Sequence, residues 1–350
     1  MNSQTKARKT GEQRAQLAMV KWLCAVSVWR TVMTRLLPVF GHSAWWAALL
    51  CALPGIAVAV MLRWMMHLTA SATLVEGIRA CLGRGGAAIC SGGLAVMLLQ
   101  EGLTSLTALV TLFTEGVGTR GTQFTLALLT GAVLMGCLHR EGLPRAVLLL
   151  RWGMLAAAAV LVFFMLGDVQ LDHLFPLQAG NCLNAPMIGR YIGLSWPLIL
   201  LLTLAPQDSS GRLRQGIIPV FAAIGFVLLT LLTLPKTWLQ EQQSMSDWLL
   251  LPVWFMPNVV RVLGLCLLML ALFGSIGFTV QLAVQQLEGC AVHLPRWLPY
   301  GLLAAMIATQ ATNTKRLWTL LSQLEPWLFL SILLVAVCSL VIALYRRKEE

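Results

Sequence analysis

Ionisable side chains set inside long apolar stretches have the strongest claim to chemistry in this chain, because hydrocarbon penalises a charge that lacks a partner or a cavity. They are Lys21, Arg30, Arg35, Arg63, Glu101, Arg145, Arg151, Arg190 and Arg261. Lys21, Arg35, Arg63, Arg145, Arg151 and Arg190 lie near the ends of their stretches. There the stem can run along apolar surface while the head reaches water, so these six are expected to snorkel. Arg30 is deeper, with Ser27, Thr31 and Thr34 around it. Two readings stand for it: the wall of a ligand site, or an ion pair with Glu101 that fixes packing. Glu101 sits among Leu98, Leu99, Leu103 and Leu106, and Gln100, Thr104, Ser105 and Thr107 extend its polar stripe. Such a stripe fits a cavity wall, and it also fits hydrogen bonding between membrane helices, the commoner use of Ser and Thr there.

The segment Gly193-Leu194-Ser195-Trp196-Pro197 supplies a second kind of chemistry, that of the backbone. Proline has no amide hydrogen and crowds the preceding turn, so carbonyls are left without helical partners. Either the helix is broken there to present those groups to a substrate, or it is merely kinked. No enzyme is expected, since no motif pairs a nucleophile with a base and His42, His67, His139, His173 and His293 fall at or near span ends. The nine cysteines form no CxxC pair and no His cluster accompanies them, so no metal or other cofactor is expected. Cys182 alone falls well inside an external loop, and the others read as packing residues.

What must position these groups is a set of about ten apolar spans. Their expected bounds are Leu17 to Phe40, Ala44 to Met66, Ala87 to Phe113, Phe124 to Leu138, Pro144 to Leu166, Met187 to Leu204, Ile217 to Leu234, Val253 to Leu287, Leu298 to Gln310 and Trp327 to Leu344. A hydrophobic fraction of 58% with 11% charged residues fits a lipid-facing surface, and the absence of strict alternation points to helices rather than a barrel. Lys6, Arg8, Lys9 and Arg14 precede the first span. Arg79, Arg84, Arg140, Arg145, Arg212, Arg214, Arg296, Arg346, Arg347 and Lys348 then fall in every second connection, while the other connections carry mainly Arg120, Lys236, Lys315 and Arg316. The positive-inside rule therefore places both termini in the cytoplasm, with the first span as a signal-anchor. The net charge of +11 reports topology, and no nucleic-acid partner is implied. Residues 1–16 and 345–350 read as cytoplasmic tails around one membrane domain, residues 17–344. Between the second and third spans, Leu74, Val75, Ile78 and Leu82 share a face opposite Glu76, Arg79 and Arg84, which predicts a short amphipathic helix at the cytoplasmic interface.

The order of several short segments resembles the B subunit of spore germinant receptors, the GerAB-type permeases of the amino acid, polyamine and organocation transporter superfamily. The resemblance rests on Leu36-Leu37-Pro38, Trp45-Trp46, Thr73-Leu74-Val75-Glu76-Gly77-Ile78, Leu82-Gly83-Arg84 and Asp172-His173-Leu174-Phe175-Pro176-Leu177. It continues through Ala205-Pro206-Gln207-Asp208, Arg261 and Tyr345-Arg346-Arg347-Lys348. It implies an all-α fold of ten transmembrane helices in a LeuT-like five-plus-five inverted repeat, with the first and sixth helices discontinuous. It also implies a small-molecule germinant such as an amino acid, a larger membrane receptor subunit and a lipoprotein as partners, and a spore inner membrane or bacterial cell membrane as location. Carried over by position, the ligand pocket is expected from Ser27, Arg30, Thr31, Ser105, Gly193, Ser195 and Trp196, and the polar stripe adds Glu101. Where the family has a glycine-rich break in the first span this chain reads Arg30-Thr31-Val32-Met33. Where it often has glutamates in the sixth and eighth spans, this chain has Leu200 and Leu263. The competing expectations are a secondary transporter of amino acids or amines, and a scaffold subunit with a degenerate pocket.

Overall fold

The computed structural model describes residues 2–117, 142–167, 169–174, 193–204, 209–233, 257–288, 295, 297–311 and 315–349. The expected span Phe124 to Leu138, together with Arg190, Cys182 and the Ala205 to Asp208 segment, lies outside them, as do the side chains of Thr34, Arg145, Arg151 and Arg261. The described residues contain no strand. We number the helices α1 (Asn2–Thr31), α2 (Leu37–Phe40), α3 (Ala44–Leu68), α4 (Leu74–Val117), α5 (Gly142–Leu166), α6 (Leu200–Thr203), α7 (Ser209–Thr233), α8 (Pro257–Glu288), α9 (Leu298–Ala311) and α10 (Lys315–Glu349).

Five stretches are long and apolar enough to cross a bilayer: Leu37–Leu68, Leu74–Thr111, Leu213–Thr233, Leu267–Glu288 and Gln323–Arg347. Their outer faces are apolar too. On α10, Leu330, Leu334, Val337, Val341 and Leu344 are all exposed, at the spacing of one helix face, and Leu53, Val60 and Trp64 do the same on α3. A contiguous greasy surface of this kind needs lipid to cover it. The chain is an all-helical, multi-pass membrane protein.

Its centre is α1. From Ala18 to Met33 only Lys21 and Ala25 escape burial, which is how a helix apolar on all sides behaves when neighbours surround it. Around it pack α5, α7, α8 and a 3₁₀ turn, Trp196–Ile199. α4 runs along α8, and α10 covers α3 and α4.

The helical backbone is irregular at two places near this centre. Directly after Thr31 the chain winds into a π-helical turn, Val32–Leu36, closed by the Leu37 amide donating to the Val32 carbonyl. A π turn widens the backbone and redirects the side chains beyond it, and such turns recur at functional sites. The expected sixth span is the second irregular place. Its described part is a turn at Gly193–Ser195, the 3₁₀ turn, and then only the four residues of α6.

The predicted interfacial helix is present as the first part of α4, up to Gly83, whose φ of +73° breaks the helix before the membrane segment. Its start is fixed by reciprocal hydrogen bonds. The Thr73 hydroxyl accepts from the Glu76 amide at 3.3 Å, and the Glu76 carboxylate accepts from the amides of Ala72 and Thr73 at 3.2 and 3.3 Å. Leu74 and Ile78 are buried completely, so this helix is packed onto the bundle on its apolar side.

Candidate functional site

A small cavity lies between the last turns of α1, just before the π turn, and the segment that opens at Gly193. It is lined by Ser27 and Thr31 of α1, by Gly193, Leu194 and Trp196, and by Glu325, Pro326 and Phe329 of α10. In this conformation its enclosed space is about that of one water molecule. Ser27 and Thr31 face it together because they are one helical turn apart. Gly193 allows a close approach: a Cβ there would stand 3.0 Å from the Phe329 ring, which would have to give way slightly. Pro326 has no amide hydrogen, so the α10 hydrogen-bond ladder is interrupted beside the cavity.

Four of the sequence-derived candidates, Ser27, Thr31, Gly193 and Trp196, are therefore brought to one place. Ser195 is adjacent but occupied otherwise, donating its hydroxyl to the Ala52 carbonyl of α3 at 2.5 Å. That contact depends on Gly55, whose missing side chain lets the Ser195–Trp196 backbone approach; a Cβ there would lie 2.9 Å from the Ser195 carbonyl carbon.

Arg30 is directed to α4. Its Nη2 donates to Glu101 Oε2 at 2.7 Å, and the two side chains are 3% and 5% exposed. The ion pair considered from sequence is thus formed, and it ties the central helix to α4 through the core. Glu101 Oε1 accepts no hydrogen bond among the described residues, nor does the Oγ of Ser105, one turn further along α4. Neither Glu101 nor Ser105 lines the cavity.

Arg35 departs from the snorkelling expectation. The π turn carries it to α10, where Nη1 donates to Glu325 Oε2 at 3.2 Å, with side chains 23% and 29% exposed. Gln100 Nε2 donates to the same oxygen at 3.4 Å. A partly screened pair of this kind is easily exchanged for another partner, unlike the fully buried one between Arg30 and Glu101. Leu194, Glu325, Pro326 and Phe329 are cavity residues that the sequence reading missed, and Glu325 is the charged one. It precedes the apolar run beginning at Trp327, and Glu-Pro before such a run has the look of a helix start. The helix instead starts ten residues earlier, at Lys315, and holds Glu325 within its length. Lys21, by contrast, reaches a polar partner at a span end, donating to Gln215 of α7 at 2.7 Å.

The arrangement offers a ligand two hydroxyls, two aromatic faces and one carboxylate, at a junction of three elements of which two have irregular backbone. In comparisons with known proteins, the sequence matches no family model and no curated protein.

Proposed function

We propose that the chain is a permease-like receptor subunit that binds a small molecule in the cavity between α1, the Gly193–Trp196 turn and α10, and signals by a change in helix arrangement. The observation that carries the reading is the meeting, in one cavity, of side chains flanking interruptions in two separate membrane segments. Binding there would bias one arrangement over another, provided that the ligand's affinity differs between them. With about one water's space in the closed form, any larger ligand must part the walls, so binding and rearrangement are linked.

The sequence resemblance supplies the biological setting: the B subunit of a spore germinant receptor, in a ten-helix LeuT-like inverted repeat, acting beside a larger membrane subunit and a lipoprotein. The departure from a glycine-rich first span weighs less than it did from sequence alone, because Val32–Leu36 is irregular without glycine. A second reading, secondary transport of an amine or amino acid, is favoured by the buried carboxylate Glu101 and by Glu325 near the end of a membrane helix.

Protein purified into liposomes separates them. Saturable binding of a small amino acid without accumulation driven by sodium or protons is the expected result. Gradient-driven uptake would establish the transporter instead. In spores of the source organism, deletion of the gene should abolish the response to at least one nutrient germinant, and an unchanged response to all of them would remove the receptor reading.

A further inference from the structure

We infer that the interfacial part of α4 and the end of α10 form a binding site for an anionic phospholipid, whose phosphate is held by arginines and whose acyl chains lie on an open face of α4. Arg79 and Arg84 flank the break at Gly83, and Arg346 and Arg347 stand where the apolar stretch of α10 ends. All four are exposed. The two pairs are brought together by Arg346 Nη1, which donates to the Ala80 carbonyl at 2.6 Å and so sets its guanidinium beside the backbone that carries Arg79. That carbonyl lies in the last turn before Gly83, where a helix's carbonyls lack amide partners of their own, so the contact caps the interfacial helix with a cation. Arg346 keeps its other donors for a ligand. Among the described residues no carboxylate pairs with any of the four. Glu76, the one acid of the interfacial helix, turns its carboxylate to the Ala72 and Thr73 amides at the opposite end.

Directly beyond Arg84 the membrane part of α4 begins, and Gly85, Ala88, Gly92 and Val96 recur there at the spacing of one helix face. Gly85, Ala88, Ile89 and Val96 are exposed, and a Cβ at Gly85 or Gly92 would meet nothing within 4 Å, so no described residue covers this strip. A cationic cluster that runs straight into a bare apolar strip matches a molecule anionic at one end and hydrocarbon at the other. A nucleotide or an acidic peptide would engage the arginines and leave the strip uncovered, and a neutral lipid would do the reverse. Guanidinium groups suit the phosphate because they present paired donors and stay charged. With its phosphate shared between α4 and α10, the lipid adds a second tie to the one made by Arg346 and Ala80.

The test uses the full chain purified in detergent and three probes: phosphatidylglycerol, phosphatidylcholine with the same acyl chains, and glycerol phosphate, which is a headgroup without chains. Expected is saturable binding of phosphatidylglycerol, with phosphatidylcholine and glycerol phosphate each at least about tenfold weaker. Arg79→Gln, Arg84→Gln and Arg347→Gln should each weaken phosphatidylglycerol by about fivefold and flatten its dependence on salt. These three side chains make no hydrogen bond or ion pair with a described residue, so the unfolding temperature without lipid should match the parent's. Arg14→Gln, at an exposed position on α1, should leave the affinity unchanged. Equal binding of the two lipids overturns the anionic class, and equal loss in Arg14→Gln shows diffuse attraction to a charged surface and overturns the site. Glycerol phosphate binding as tightly as phosphatidylglycerol overturns the lipid in favour of a free phosphate. A second copy of the chain held across the Gly85 to Val96 strip, with no lipid retained, overturns it as well.

Discussion

Arg30 shows why a buried charge in a membrane helix needs its partner identified before it is given a role. From sequence, the ligand-site and ion-pair readings were balanced, since Ser27 and Thr31 flank Arg30 and Glu101 is one of few acids within a span. The 2.7 Å contact resolves the partner, and its burial sets the energetic scale. Removing one member of a buried pair typically costs about 3–5 kcal/mol, because the other charge is stranded. Arg30→Ala should therefore lower the thermal unfolding temperature of the detergent-purified protein sharply. Arg30→Ala combined with Glu101→Ala should recover a large part of that loss, since no charge is left behind. Equal loss in the single and double variants would mean that Arg30 acts through other contacts. The polarity of this region was legible because charged residues stand out against Leu and Ala. The second pair was not, because Arg35 reaches Glu325 only through the π turn, and no residue type marks a π turn in advance.

At the level of elements, apolar runs located the helices well wherever lipid was the selecting solvent. The predicted starts at Ala44 and Leu298 and the predicted end at Leu166 agree with the structure, and the interfacial helix appears where its two-faced pattern placed it. The misses are at the ends. α1 extends back to Asn2 and α10 runs from Lys315 to Glu349, since a helix can continue into water on polar residues that a hydropathy boundary discards. In the sixth span, where Gly193 to Pro197 offered a break or a kink, the described part is a break: a turn and a 3₁₀ stretch lead into only four helical residues. Its hold on α3 is a close backbone approach at Gly55 and the Ser195 hydrogen bond to Ala52. Gly55→Ala should push the turn away from α3, because the new Cβ would meet the Ser195 hydroxyl and, behind it, the Ser195–Trp196 backbone, which cannot swing aside. A destabilisation of about 1–3 kcal/mol is expected from such overpacking, together with weakened ligand binding. Ser195→Ala removes only the hydrogen bond, so a loss of about 1 kcal/mol is expected. If Gly55→Ala melted and bound ligand like the parent chain, the turn would not be held by this contact.

Across the whole molecule, long-range contacts sort the helix ends. Lys21, at the basic end of α1, bonds Gln215 near the start of α7, and Arg346, at the basic end of α10, donates to the Ala80 carbonyl of the interfacial helix at 2.6 Å. Away from the basic ends, the Gln170 amide after α5 donates to the Leu232 carbonyl at the end of α7 at 3.1 Å, and the Gly41–Ser43 turn packs on Leu171–Leu174. A helix that crosses once must put its two ends on opposite sides, so these contacts divide the connections into two sets. One set holds Lys21, Arg79, Arg84, Arg214 and Arg346, and Lys315 and Arg316, at the start of α10, fall in the other. Charge alternation predicts a division of the same kind, and under the positive-inside rule the expected orientation puts the more basic set in the cytoplasm. A fluorescent protein fused after Glu350 should therefore fold and fluoresce, while alkaline phosphatase fused after Leu171 should be active, because that enzyme matures only outside the cytoplasm. The reverse pair of signals would invert the molecule and move the Arg35–Glu325 pair to the cytoplasmic half of the bundle. That would leave the cavity chemistry unchanged but deny it an external ligand, so orientation is the measurement on which the receptor reading depends most heavily.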